Sequence, residues 1–255
     1  MADVETIPRD IFVKEFGKKY QSGQHVTFLG PSGRGKTKLC GQLLISVVKK
    51  HPQIKATILH GKIKGRDATI EELSKMGDFP ISHIATPTLR QRLLKRKRHG
   101  HVVRPLEKPG ESVAAENTLV AGEFGKAIHR NYHASRKHPM ITVVDEAHQA
   151  HNDLKLRAAC EGPLMRGRPV NAMWSLVQRG RYVSYMCYDQ AEHLFIFYDP
   201  DADNRKRYAE IGGVDPLYVQ ELASQLRTRT VADGSTISQC LYFRRSGGYL
   251  CIVDT

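Results

Sequence analysis

Gln24 to Cys40 reads QHVTFLGPSGRGKTKLC, and the reading of the whole chain starts there. The apolar run Val26-Thr27-Phe28-Leu29 leads into Gly30-Pro31-Ser32-Gly33-Arg34-Gly35-Lys36-Thr37, and apolar residues recur at helical spacing from Leu39. This is G-x-x-x-x-G-K-[ST] with a strand before it and a helix after it, the context a phosphate-binding loop requires. Its glycines let successive backbone N–H groups turn inward as an anion nest, and the helix adds the partial positive charge of its N-terminus. Lys36 is expected to reach the β- and γ-phosphates and the Thr37 hydroxyl to take a place on Mg²⁺. The lining of this nucleoside-triphosphate site runs from Gly30 through Lys38.

The composition sets bounds around that site. A chain of 255 residues with 40% hydrophobic content is long enough for one large α/β domain with a full core, or for two small ones. Lys+Arg of 39 against Asp+Glu of 26 leaves +13, an excess that points to a polyanionic partner, either nucleic acid or an anionic membrane. No apolar run approaches the roughly 18 residues needed to span a bilayer. The opening MADVETIPRD has no apolar core and so is no signal peptide. Cys40, Cys160, Cys187, Cys240 and Cys251 form no C-x-x-C pair, which fits free thiols in a reducing cytosol better than disulfides or zinc.

Outward from the loop, the pattern is strand and helix in alternation. Residues 1–23 are expected to be an N-terminal extension on the sheet edge. Leu39, Leu43, Leu44, Val47 and Val48 carry a helix to about Lys50, where His51-Pro52 ends it. Ile54 to Leu59 reads as a strand that runs into the basic turn His60 to Asp67. Thr69 to Met76 is a short helix, Thr88 to Arg98 a strongly basic one, and His101 to Leu106 a short strand. Ala114 to Tyr132 is a long amphipathic helix with Leu119, Val120, Phe124, Ala127 and Ile128 inward. Met140 to Val144 is a continuous apolar run of the kind a central parallel strand needs. After it come a helix at Asp153 to Met165, strands at Asn171 to Val177 and Glu192 to Tyr198, and a helix from Pro200 to about Ile211. A helix at Pro216 to Leu226 and a hairpin turning at Ser246-Gly247-Gly248 close the chain, residues 214–255 belonging to the same domain. The expected fold is a doubly wound, mostly parallel sheet with helices on both faces and a small C-terminal hairpin.

The chemistry lies at the strand ends. Ile141 to Val144 followed by Asp145-Glu146 makes a Walker B segment, in which Asp145 holds Mg²⁺ and Glu146 polarises an attacking water. The competing use of two such carboxylates is to cap the next helix. His148 and His151 could face one way, but without a third ligand they make a poor metal site. Gln178, directly after the next strand, could touch the γ-phosphate and report its loss. Arg166 and Arg168 stand where a neighbouring subunit could receive an arginine finger, and Arg179 and Arg181 compete for that role.

The loop at 30–37, MITVVDEAH at 140–148, SLVQRG at 175–180 and HLFIFYDPDADNRKRYAEIGG at 193–213 together resemble the FtsK/HerA class of DNA-translocating ATPases. The likeness covers residues 24–213. It implies a RecA-like core, ATP and Mg²⁺ as cofactors, and catalysis by Glu146 beside Asp145. It also implies a homo-oligomeric ring, here expected to have five or six subunits, around double-stranded DNA. The chain has no winged-helix pattern at its C-terminal end, so a phage or viral packaging ATPase working with a portal or other motor component is the best fit. Asp145-Glu146-Ala147-His148 also spells a helicase signature, but helicases of that type need two RecA-like domains.

A strand-ending basic turn at Lys62, Lys64 and Arg66, and the helix ending in Arg96, Lys97 and Arg98, are the expected contacts to the DNA backbone. Few aromatics interleave them, so base stacking is not the expected mode. The alternatives to a motor are a nucleotide-gated DNA-binding or assembly protein and a P-loop small-molecule kinase. Glu146 and Gln178 suit an activated water better than a kinase acceptor.

Overall fold

A computed structural model of the chain sets these apolar runs side by side. It describes residues 4–61, 68–75, 81–83, 100–104, 110, 112–167, 170–179, 182–209, 214–230 and 236–254. In chain order, β1 (Thr6–Ile7), α1 (Arg9–Lys19), β2 (Val26–Leu29), α2 (Lys36–Lys50) and β3 (Lys55–His60) come first. α3 (Ala68–Lys75), β4 (Ile81–His83), β5 (Gly100–Arg104), α4 (Val113–Tyr132) and β6 (Met140–Asp145) follow. Next are α5 (Ala147–Asn152), α6 (Arg157–Arg166), β7 (Asn171–Val177), α7 (Met186–Asp189), β8 (His193–Phe197) and α8 (Ala202–Ala209). Last are α9 (Pro216–Gln225), β9 (Thr228–Thr230), β10 (Thr236–Ser238), β11 (Cys240–Arg244) and β12 (Tyr249–Val253).

Among the described residues the main sheet has ten strands in the order β1-β12-β11-β8-β2-β7-β6-β3-β5-β4. Every pairing from β8 to β4 is parallel, and β11 is antiparallel to both β8 and β12. Parallel neighbours need crossover helices on the faces, which is why β2, β7 and β8 are buried at every position and are mostly apolar. The fold is thus the mostly parallel α/β sheet expected, with the hairpin added to the same sheet beside β8.

The two faces pack differently. Under α1 and α2 lies an aromatic cluster: Phe16 meets Trp174, Phe195 and His193 edge-on or tilted at 4.9–6.1 Å between ring centroids. Phe12 meets Phe195 and Tyr242 edge-on. Each buried Phe contributes about 1.5–3 kcal/mol of transfer free energy. Residues 1–23 therefore do more than extend the edge. β1 pairs with β12, while α1 lies across the face and closes one core. A Cβ on Gly17 would meet the Ser46 side chain, so the glycine permits the close approach of α1 to α2. The other face is mainly aliphatic, built on Val120, Phe124, Ala127 and Ile128 of α4 with Leu164, Leu222 and Tyr208.

Three expectations need correction. Leu119 points outward and is 39% exposed, because the buried stripe of α4 is narrower than the apolar pattern. The helix expected over Asp153 to Met165 starts only at Arg157, and a separate short helix, α5, ends before it at Asn152, with Lys155 at φ 56° between them. The helix expected to run to about Ile211 is present over Ala202–Ala209, and its expected end lies outside the described residues. β9 and β10 pair antiparallel as a small second sheet where no strand was expected. The basic helix at Thr88 to Arg98 lies outside the described residues.

Candidate active site

The carboxyl ends of β2, β3, β6 and β7 meet at one place, and the loop Gly30 to Gly35 crosses above them. Gly30, Gly33 and Gly35 have φ of 144°, 76° and 86°, values that side-chain-bearing residues rarely adopt. At Gly30 space is limiting too, since a Cβ would lie 2.8 Å from Cβ of Phe197. The Gly30 N–H donates to the Val177 carbonyl at 3.1 Å, tying the start of the loop to the end of β7. Gly35 is the N-cap of α2 and brings no capping side chain, so the first-turn N–H groups of that helix face the loop. Lys36 is buried, and its Nζ donates to the carbonyls of Gly30 and Pro31 at 2.6 and 2.7 Å. The ammonium is thereby held over the nest.

Arg34 places its guanidinium 5.3 Å from the ring centroid of Tyr198, just past β8. Ser32 and Gly33 are exposed at the tip of the loop, and Lys38 is exposed on α2.

Asp145 is 5% exposed at the end of β6. Its Oδ1 accepts from the Thr37 hydroxyl at 3.4 Å, and its Oδ2 accepts from Nδ1 of His60 at 2.6 Å. Thr37 and Asp145 thus put two hard oxygen donors together beside the loop, the ligand chemistry that suits Mg²⁺. Those two residues could hold the ion, and the left-handed glycines and free helix start could hold the phosphates. Cys40, one turn further along α2, has its thiol pKa pushed well up by burial and then by the Asp145 charge.

Glu146 follows at φ 59°, a left-handed conformation that costs a residue with a side chain about 1–2 kcal/mol. It is the N-cap residue of α5, yet its side chain makes no capping hydrogen bond. The capping alternative for this carboxylate therefore fails. Instead Oε1 accepts from Nε2 of Gln178 at 3.3 Å, so the amide after β7 and the carboxylate after β6 meet across the strand ends.

His148 and His151 do not form a pair. His148 stacks edge-on against Tyr182, while His151 is buried and its Nδ1 accepts from the Ser184 N–H at 3.2 Å. Burial, and then the charge of Arg157, push the His151 pKa down to about 4. Among the described residues no group of three or more His, Cys, Asp or Glu is placed to hold a metal.

Arg166 ends α6 and Arg179 follows Gln178, and both are exposed. Neither hydrogen-bonds Asp145 or Glu146 within this chain among the described residues. Arg168, Arg181, Lys62, Lys64, Arg66, Arg96, Lys97 and Arg98 lie outside the described residues. His60 is the site residue that sequence reasoning missed, because it looked like the first residue of a basic turn. Its signal is the pairing of β3 with β6, which puts His60 directly opposite Asp145. That register is not written in either strand alone.

No family model matches the chain, and no curated protein matches it. Solved structures do. The genome packaging NTPase B204 of Sulfolobus turreted icosahedral virus 2, in complex with AMPPCP, superposes with a TM-score of 0.61 at 17% identity, over 90% of this chain and 96% of that one. B204 of Sulfolobus turreted icosahedral virus, described as a DNA-packaging ATPase, gives 0.60 at 16% identity over 91% and 98%. The cytoplasmic domain of the Thermomonospora curvata type VII secretion ATPase EccC gives 0.56 at 13% identity, over 91% of this chain and 25% of that longer one. At these identities the likeness is one of fold. The chain has the mixed, mostly parallel α/β fold of these packaging and secretion ATPases.

Proposed function

We propose that this chain is a Mg²⁺-dependent ATPase that assembles as a homo-oligomeric ring and moves double-stranded DNA, as the motor of genome packaging. The observation that carries the reading is the meeting of Thr37, Asp145, Glu146 and Gln178 under a left-handed glycine loop. The loop N–H groups and Lys36 bind the phosphates, and Thr37 and Asp145 present oxygens to the metal. A Mg²⁺ ion held by those two residues would supply positive charge against the phosphates. Glu146 accepts the proton of the attacking water, and Gln178 holds the Glu146 carboxylate in place. Arg166 or Arg168, with Arg179 and Arg181 as competitors, supplies positive charge to a neighbour's γ-phosphate. The fold shared with viral packaging NTPases and the charge of +13 support DNA as the cargo.

The test is ATP hydrolysis with and without duplex DNA, together with displacement of a protein roadblock from that duplex. A motor shows turnover that rises with duplex of any sequence and clears the roadblock. Turnover indifferent to DNA would sink the translocation reading, and binding without displacement would leave a nucleotide-gated DNA-binding protein.

A further inference from the structure

His60 is the last residue of β3, and Asp145 is the last residue of β6 and its direct partner in the parallel register. Both side chains leave the sheet on the face that carries α2, because each continues the alternation of Ala56 and Ile58, or Ile141 and Val143, in that core. Both are almost wholly enclosed, at 0% and 5% exposure. A carboxylate oxygen only accepts, so the 2.6 Å contact requires that Nδ1 of His60 carries the hydrogen. Asp145 Oδ2 is thereby occupied, and Oδ1 is the oxygen left turned to Thr37.

We propose that His60 is a positioning residue: it locks the Asp145 carboxylate so that Oδ1 alone faces Thr37 and the metal. The inference rests on the reading of Thr37 and Asp145 as the Mg²⁺ oxygens. Without a partner, rotation about the Asp145 Cβ–Cγ bond would exchange the two oxygens at little cost. With one, a short hydrogen bond in a water-excluded position opposes the exchange. His60 is itself held. Nε2 of Gln149 on α5 donates to the carbonyl of Gly61 at 3.4 Å, and a Cβ on Gly61 would lie 2.1 Å from Gln149 Oε1. The end of β3 is therefore tied to the helix that begins after Glu146, which makes His60 a fixed reference for the carboxylate. A histidine that merely filled space would need no donor at Nδ1.

The test is Mn²⁺ binding, read from the EPR signal of free Mn²⁺ titrated into protein saturated with the non-hydrolysable analogue AMPPCP. His60→Asn puts an amide donor where Nδ1 stands, whereas His60→Gln carries it one bond too far and His60→Leu has none. Partners that orient a metal ligand typically change affinity by about 10–100-fold, so Gln and Leu should weaken Mn²⁺ by that factor while Asn stays close to wild type. AMPPCP affinity without metal should be the same in all four proteins. Equal Mn²⁺ affinity in Asn, Gln and wild type overturns the proposal, and so does an Asn variant as weak as Leu. Should His60→Leu not fold, the Asn–Gln pair still decides. Independently, ¹⁵N NMR of the unmodified, metal-free protein should show Nδ1 of His60 protonated, and an unprotonated Nδ1 overturns the assignment. If wild-type protein binds no Mn²⁺ with AMPPCP, the nucleotide-site reading itself has failed, which is a different result from any of these.

Discussion

Two buried polar rows cross the same strands on opposite faces of the sheet. At the carboxyl ends, His60 of β3 pairs with Asp145 of β6, next to Thr37. Nearer the middle, Thr57 of β3 is flanked by His101 of β5 and Thr142 of β6, and Nδ2 of Asn131 on α4 donates to the Thr142 hydroxyl at 2.8 Å. All four residues of the inner row are buried, and Thr57 Oγ1, His101 Nε2 and Asn131 Oδ1 make no hydrogen bond among the described residues. The rows share residue types but not surroundings. The outer row contains a carboxylate and opens to a helix N-terminus and a glycine loop, so it can meet a charged ligand. The inner row is sealed under α4 and has no anionic member. Burial of polar groups alone does not mark a site; position at the strand ends does.

The comparison can be broken most strongly at the outer row. Glu146→Gln should lower turnover of Mg²⁺·ATP by about 10²–10⁴-fold, the usual contribution of a general base, while the unfolding midpoint stays within experimental error. Phosphate release and thermal unfolding on the same preparation check this. Wild-type turnover in the variant would remove Glu146 from catalysis.

A smaller effect belongs to the inner row and appears with pH. Burial, and then the charge of Arg130, push the His101 pKa down to about 4 from an ordinary value of 6.5. As pH falls below 6.5 the unfolded chain takes up this proton first, so stability is lost between 6.5 and 4 and the loss levels off below 4. From pH 7 to pH 5 this one group should cost on the order of 2 kcal/mol, measured by urea unfolding. His101→Leu should remove that part of the slope. An identical pH dependence in the variant would mean that His101 is not the group responsible.

The legibility of the two rows also differs, and the reason is physical. A phosphate loop and a Walker B strand are local patterns, so Gly30 to Thr37, Asp145 and Gln178 could be found one stretch at a time. His60 and Thr57 gain meaning only from register between parallel strands far apart in sequence, which no single strand encodes. The break between α5 and α6 was hidden for another reason. Lys155 takes a left-handed conformation without being Gly or Asn, so no breaker marks it. Leu119 shows that an apolar residue one step off the buried stripe of a helix keeps the helical pattern yet faces out.

The smallest expected effect is at Thr57. Its hydroxyl is buried without a hydrogen bond among the described residues, so Thr57→Val should be neutral or stabilising by up to about 1 kcal/mol and should leave ATP turnover unchanged. A loss above that size, seen by denaturant unfolding, would show that the hydroxyl has a partner in solution.

The central claim is that the outer row, under its glycine loop, is where a metal-bound nucleotide sits. Calorimetric unfolding with and without Mg²⁺·AMPPCP tests it most directly. A ligand at 100 times its Kd stabilises a folded protein by about 2.7 kcal/mol. Tm should rise with ligand concentration, and the rise should persist in Thr57→Val and Glu146→Gln and disappear in Lys36→Ala. An unchanged Tm at millimolar Mg²⁺·AMPPCP, or a rise that Lys36→Ala preserves in full, would contradict it.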